Sequence, residues 1–259
     1  MVVIEDFCAD RRGDDLRQLS SFAMGGAVSS LDLDVLAARC AADGEAEVAG
    51  RYLCPSEFAQ WRGFRLPKRR LEWLGGRIAA KDAAMRLQGV AASRRDWHQW
   101  QLAVLPSGRP ELVAGVTPLP EISISHSGGR AMSMAMANRC GIDIQQCRAA
   151  VVRVRARFCS PSEAARLAAG LGGMSKEARL TLLWAAKEAI RKAVPVVPLP
   201  AFEEMELEAV RGEAAGVMIF ACCFRRRQIC LPLAVGVVLD RDFAVALVAM
   251  PTGNQWGGK

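Results

Sequence analysis

The sequence predicts an α+β protein made of two pseudo-duplicated α/β halves, each a small, mainly antiparallel sheet packed on a long helix. Three observations point there. A helical pattern over Leu71–Leu87 is followed by a strand-like hairpin at 122–137. A second helical pattern around Trp184–Lys192 is followed by another hairpin at 233–249. The helices echo each other in A-A-K-D-A at 79–83 and A-A-K-E-A at 185–189, so the same order of elements occurs twice.

The elements follow in chain order. Residues 1–50 are rich in alanine and aspartate and end in a helical pattern, Leu31 to Ala49. We expect them to form an N-terminal extension of unknown role. The first half is expected over 51–138. L-C-P-S-E-F at 53–58 reads as a helix start, with Pro55 at the turn, Ser56 as cap and Glu57 in the first turn. A basic run follows, Arg62, Arg65, Lys68, Arg69 and Arg70. In the next helix Leu71, Leu74, Ile78 and Met85 form the apolar stripe. Arg70, Arg77 and Lys81 share the adjoining face, either as snorkelling surface cations or as a wall facing phosphate. Pro106–Pro110, P-S-G-R-P, reads as a turn that presents Arg109.

The second half is expected over 139–252, with 253–259 as a frayed tail. It opens with G-I-D-I-Q-Q, a strand in which Ile142 and Ile144 face one way and Asp143 and Gln145 the other. Asp143 is either on an exposed face or held there for a reason. V-V-R-V-R-A-R-F at 151–158 alternates like a strand, with a helix as the alternative. Ser160, Pro161 and Glu163 form a capping box, which alone explains Glu163. In the central helix Leu183, Ala186, Ile190 and Ala193 make the buried stripe. Trp184, Lys187, Glu188, Arg191 and Lys192 fall on the neighbouring face. Glu188 and Lys192 could be an ordinary surface ion pair. P-V-V-P-L-P at 195–200 is extended and cannot continue the helix. Met132, Met134 and Met136 are read first as core and second as a docking surface.

Bulk properties narrow the function classes. The 259 residues are 51% hydrophobic, enough for one large domain or two small ones. No apolar run reaches about 18 residues, so no membrane span is expected. The start M-V-V-I-E-D-F lacks the basic and apolar regions of a secretion signal. Nine cysteines lie without metal-ligand spacing and two histidines exclude a His-rich metal site, so reduced thiols in a cytoplasmic protein are expected. The net charge of +7 suits an acidic partner. No zinc finger, helix-turn-helix or aromatic-interleaved basic run supports nucleic acid.

Four pieces in order carry a resemblance: I-S-I-S-H-S at 122–127, G-I-D-I-Q at 141–145, R-F-C-S-P-S-E at 157–163 and W-A-A-K-E-A-I-R-K at 184–192. Together they resemble the 4′-phosphopantetheinyl transferase superfamily, in its larger two-half form acting on synthase carrier domains. W-L-G-G-R-I-A-A-K and G-R-P upstream are similar to the family's first-half helix and G-K-P turn. The resemblance covers about residues 53–250 and implies that family's duplicated fold.

The resemblance implies transfer of phosphopantetheine from coenzyme A to a carrier serine, with release of 3′,5′-ADP. The carriers implied are acyl or peptidyl carrier proteins of fatty-acid, polyketide or nonribosomal peptide synthesis, acidic in character. A monomer is expected, with no membrane and no nucleic acid as partner. Asp143 and Glu188, with Gln145 as a weaker third donor, are expected to hold Mg²⁺ (or Mn²⁺), a hard cation that takes oxygen ligands. Gln145 stands where the family usually has a second acid, and some functional members lack that acid too. Glu188, directly or through water, is the candidate base, with Asp143 and Lys192 completing the catalytic set. Lys187 and Lys192 are expected on the pyrophosphate, Ser125 and His126 on the 3′-phosphate, Gly108 and Arg109 on adenosine, and Arg62 on another 3′-phosphate contact. The proline-rich 195–200 replaces the family's glycine-rich turn. Two other readings remain: a catalytically impaired relative that binds coenzyme A or carrier, and a basic nucleic-acid-binding protein.

Overall fold

Residues 25–214 and 217–251 are described by the computed structural model. Within them the chain is α+β, as the sequence predicts, with two antiparallel sheets each lying on one long helix. The expected tail at 253–259 and the first 24 residues of the expected extension lie outside the described residues.

The first sheet has strand order β1 (Ala27–Asp32), β5 (Arg130–Met136), β4 (Glu121–Ser127). The sequence predicts residues 1–50 as an N-terminal extension of unknown role. Instead β1 pairs along its whole length with β5, from Ala27 opposite Ala135 to Asp32 opposite Arg130. Leu31 is fully buried in this sheet. The helical pattern read over Leu31–Ala49 starts two residues later, because the Asp32 carboxylate caps helix α1 (Leu33–Asp43), accepting from Asp34 N at 2.8 Å and Val35 N at 3.1 Å. Helix α2 (Glu45–Tyr52) follows.

Helix α3 (Pro55–Arg62) begins where the sequence predicts, with Cys54 rather than Ser56 in the cap position. The long helix α4 (Pro67–Leu87) starts four residues before the apolar stripe, since Pro67 fits the first helical turn, where no N–H partner is needed. Its Gly75 lets the start of α1 come close and its Gly76 lets β4 come close. A Cβ on Gly75 would lie 2.3 Å from the Leu33 side chain, and one on Gly76 3.2 Å from Ile124. A short hairpin, β2 (Gln101–Val104) and β3 (Pro110–Ala114), carries the predicted turn, with Gly108 at φ +83°.

The second sheet has order β6 (Cys140–Gln146), β10 (Phe243–Ala249), β9 (Ile229–Asp240), β8 (Val217–Arg226), β7 (Met205–Ala214). Residues 151–158 are not a strand. Helix α5 (Ala150–Arg153) and a 3₁₀ turn over Arg155–Arg157 occupy them, and all three arginines are exposed. Helix α6 (Pro161–Gly170) carries the predicted capping box: Glu163 N donates to Ser160 Oγ at 3.2 Å and Ser160 N to Glu163 Oε2 at 2.8 Å. Such caps contribute about 1 kcal/mol. Helix α7 (Lys176–Ala193) buries Leu183, Ala186, Ile190 and Ala193 against the sheet, as predicted. Each fully buried Leu or Ile side chain contributes roughly 1.5–3 kcal/mol. Met132, Met134 and Met136 are buried in the core between the sheets, which removes the docking-surface alternative.

The two halves repeat one buried ion pair. Lys81 Nζ lies 2.6 Å from Glu57 Oε2, and Lys187 Nζ lies 2.7 Å from Glu163 Oε1. Each lysine also donates to a carbonyl 29 positions upstream, Tyr52 O at 2.7 Å and Phe158 O at 2.7 Å. Each donates again to a downstream carbonyl, Trp97 O at 3.0 Å and Phe202 O at 3.2 Å. Each glutamate accepts from a leading strand residue, Leu102 N at 3.0 Å and Leu207 N at 2.9 Å. The A-A-K echo therefore marks a repeated clamp that ties a helix start, a long helix and a strand start together.

Candidate active site

The two sheets meet edge to edge at β4 and β6. An unpaired strand edge leaves backbone donors without partners. Alternate serines of I-S-I-S-H-S supply part of the missing ladder. Ile142 N donates to Ser123 Oγ at 3.0 Å, and Gln146 N donates to Ser127 Oγ at 3.1 Å. Between them Ser125 Oγ donates to Asp143 Oδ1 at 2.6 Å. The period-2 serines thus stitch the halves and bring Asp143 to the seam.

Helix α7 lies directly on β6 because Gly141 has no side chain. A Cβ there would sit 1.9 Å from the Ala189 carbonyl oxygen. This approach carries Lys192 over the strand. Its Nζ lies 2.7 Å from Asp143 Oδ1 and 2.9 Å from Ile142 O. Asp143 is buried, so its charge is held by one ammonium and one hydroxyl rather than by water.

His126 points to the other side of β4 and is half-buried, with Nδ1 3.8 Å from Glu72 Oε1. Burial holds its pKa below the usual 6.5. Glu72 opposes that shift, while Arg69 and Lys192 add to it and Asp143 works against it. Ser125, His126, Asp143 and Lys192 therefore share one neighbourhood.

A cleft of about 330 Å³ adjoins it. Its walls are the β2–β3 turn with Gly108 and Arg109, the Ile122–Ile124 stretch of β4, the end of α7 and the extended 194–199 segment. Arg109, Arg139, Arg191, Lys192 and Glu188 line it. Glu188 is bound by Arg191, Nη1 to Oε1 at 2.7 Å, not by Lys192 as an ordinary pair would be. Lys192 links the neighbourhoods, since it lines the cleft and holds Asp143.

Two expected ligand residues lie elsewhere. Lys187 cannot meet a pyrophosphate: its side chain is 3% exposed and all its donors point into the Glu163 clamp. The same holds for the supposed phosphate wall in the first half, where Lys81 and Arg77 are buried beside Glu57. Arg62 is exposed at the end of α3 and is absent from the cleft wall. Gln145 is half-buried, two residues along β6 from Asp143. Sequence reasoning missed Ser123, Arg139 and Arg191 as parts of the site. Arg191 was legible as the cation three positions after Glu188. Arg139 carried no signal beyond its place just before G-I-D.

The donors fit a hard divalent cation in kind. Asp143 and Glu188 offer carboxylate oxygens and Gln145 an amide oxygen, and Asp143 already attracts a cationic ammonium. Among the described residues no three His, Cys, Asp or Glu side chains converge. A bound cation would therefore take few protein ligands and complete its shell from phosphate and water.

Residues 139–248 match the sequence model of the 4′-phosphopantetheinyl transferase superfamily. Over 73 residues the chain is 33% identical to the holo-[acyl-carrier-protein] synthase of Halalkalibacterium halodurans. That match takes in 28% of this chain and spans 61% of the relative's length. A holo-(acyl-carrier-protein) synthase of Bacillus anthracis superposes with a TM-score of 0.39 at 21% identity, over 43% of this chain and 92% of the other. The synthase of Neisseria meningitidis gives 0.37 at 20% identity, over 43% and 94%. The matched region contains the strand of Asp143, the capping box of Glu163 and the helix of Glu188 and Lys192. Over residues 139–248 the chain is thus similar to the 4′-phosphopantetheinyl transferase superfamily, and it spans less than two thirds of the length of the curated relative it matches.

Proposed function

We propose that this protein moves 4′-phosphopantetheine from coenzyme A to a serine of an acyl or peptidyl carrier protein and releases 3′,5′-ADP. The observation that carries the reading is Lys192, one side chain that lines the cationic cleft and holds the buried Asp143 at the seam. The named activity of the curated relative supports it.

In this reading the cleft binds coenzyme A with its pyrophosphate toward Lys192 and Arg191. The carrier serine oxygen forms a bond to the β-phosphorus, and the bond from that phosphorus to the bridging oxygen breaks. Such a displacement depends mainly on positioning and charge neutralisation. Magnesium, held by Asp143 and Glu188 with Gln145 beside them, would supply Lewis-acid polarisation of the phosphoryl oxygens. Glu188, directly or through a water, takes the serine proton. Lys192 sets the orientation of Asp143 and neutralises phosphate charge.

We further propose that the chain works as two halves joined near Arg139, as a cytoplasmic monomer, and that its basic balance speeds encounter with an acidic carrier. Among the described residues no helix is long and apolar enough to cross a membrane. The test is incubation with coenzyme A, Mg²⁺ and a panel of apo carriers, read by intact mass. Addition of one phosphopantetheine arm to any carrier supports the reading. Coenzyme A binding with no carrier product would leave only a binding relative.

A further inference from the structure

We infer that Arg139, with Arg109, forms a phosphate-binding pair in the wall of the cleft and anchors a phosphoryl group of the nucleotide substrate. This rests on the proposal that the cleft binds coenzyme A.

Three features of the wall carry the inference. First, both arginines line the 330 Å³ cleft and also an adjoining cavity of about 220 Å³, so they stand between the two. A ligand that runs along the cleft passes both. Second, their hydrogen-bonding capacity is not used up. Arg109 Nη2 is bonded to Glu121 Oε2, but Arg109 Nη1 is buried without a partner. The Arg139 guanidinium has no hydrogen bond or ion pair among the described residues. A buried donor without a partner is costly, and a fixed fork of free donors is suited to a phosphate. Third, the charge is unbalanced. Two guanidiniums share one glutamate, Glu121, and Arg139 is half-buried. Burial first, and then the Arg109 charge, work against the protonated form of Arg139, with Glu121 in opposition. An anion between them would relieve both effects.

The backbone of Arg139 is fixed for this task. It immediately precedes β6, and its carbonyl accepts from Met250 N at 2.8 Å. Arg109 stands next to Gly108, whose φ of +83° sets the turn.

The test is calorimetric binding of 3′,5′-ADP, 3′-dephospho-coenzyme A, coenzyme A and inorganic pyrophosphate to wild type, Arg139→Gln and Arg153→Gln. Arg153 is an exposed arginine away from the cleft and controls for net charge. A lost charge-assisted contact of about 1.5–3 kcal/mol corresponds to roughly tenfold to a hundredfold weaker binding. We expect that loss in Arg139→Gln alone, with an unchanged melting temperature. If the loss vanishes for 3′-dephospho-coenzyme A, the 3′-phosphate is the group held; if it persists there and appears with pyrophosphate, the diphosphate is. Equal binding by Arg139→Gln and wild type overturns the inference, as does absence of binding for every phosphate compound. Arg139-dependent binding of 3′,5′-ADP with no carrier product would uphold this pair and sink the transferase reading.

Discussion

Lys192 Nζ lies 2.7 Å from Asp143 Oδ1, although the two residues stand 49 positions apart, one on the last turn of a helix and one on the edge strand of a sheet. The contact exists because Gly141 admits the helix backbone and the β4 serines hold the strand. It ties the buried acid to the cleft. Lys192→Met should lower carrier modification by about a hundredfold or more, an effect expected when a positioned charge in a reaction site is lost. Steady-state rates with a fixed carrier check this. Wild-type rates in the variant would show that Lys192 is only a seam contact.

Lys187 gives the opposite expectation. Lys187→Met leaves the Glu163 charge buried without its partner and should cost about 3–5 kcal/mol of stability. Lys81→Met should cost less, since the buried Arg77 Nε remains 3.9 Å from Glu57 Oε1. The double replacement Glu163→Gln with Lys187→Met should recover part of the loss. Denaturant melts measure all three, and the coenzyme A KM of the folded fraction should be unchanged in Lys187→Met. A raised KM without lost stability would return Lys187 to the substrate.

Gly141→Ala tests the close approach of α7 to β6. The added methyl would overlap the Ala189 carbonyl, and overpacking of this kind costs typically 1–3 kcal/mol. The helix must shift, so the Lys192–Asp143 contact should also lengthen. We expect a lower melting temperature together with lower activity. A fully stable and active variant would contradict the geometry of the seam.

His126 sets a pH dependence. Its folded pKa lies below the unfolded 6.5, chiefly through burial. The unfolded chain therefore binds more protons in that window, and stability rises with pH up to about 6.5 and falls on acidification below it. Protonation also adds a cation beside Arg69 and Lys192, with Glu72 and Asp143 as the facing acids. Melting temperatures of wild type and His126→Gln from pH 5 to 8 should converge above pH 7 and diverge below 6 in favour of the variant. Parallel curves would remove His126 from the linkage.

The legible parts of the fold were those written in local pattern. The apolar stripe of α7, the Ser160–Glu163 cap and both hairpins rest on spacings within a few residues, so the sequence shows them directly. The echo of Lys81 and Lys187 was also visible, but its meaning was not. A lysine on a helix face looks the same whether it meets solvent, phosphate or a buried glutamate, and only the return of the chain from Glu163 decides. Strand β1 was hidden for a similar reason. Ala27–Asp32 has no alternation of its own, and its partner β5 lies far along the chain. Ser123 and Ser127 read as strand polar residues, yet they serve as the ladder of a neighbouring edge. Arg139 joins the site only through the fold, which sets it in the same cleft wall as the β2–β3 turn.

The most direct test is intact-mass analysis of an apo acyl carrier protein after incubation with coenzyme A, Mg²⁺ and either wild type or Asp143→Asn. Asparagine keeps the size of the side chain and an acceptor for Ser125 while removing the charge that Lys192 holds. Wild type should add one phosphopantetheine arm, whereas the variant should melt at a similar temperature and add none. Equal conversion by the two proteins would contradict the proposed role of Asp143.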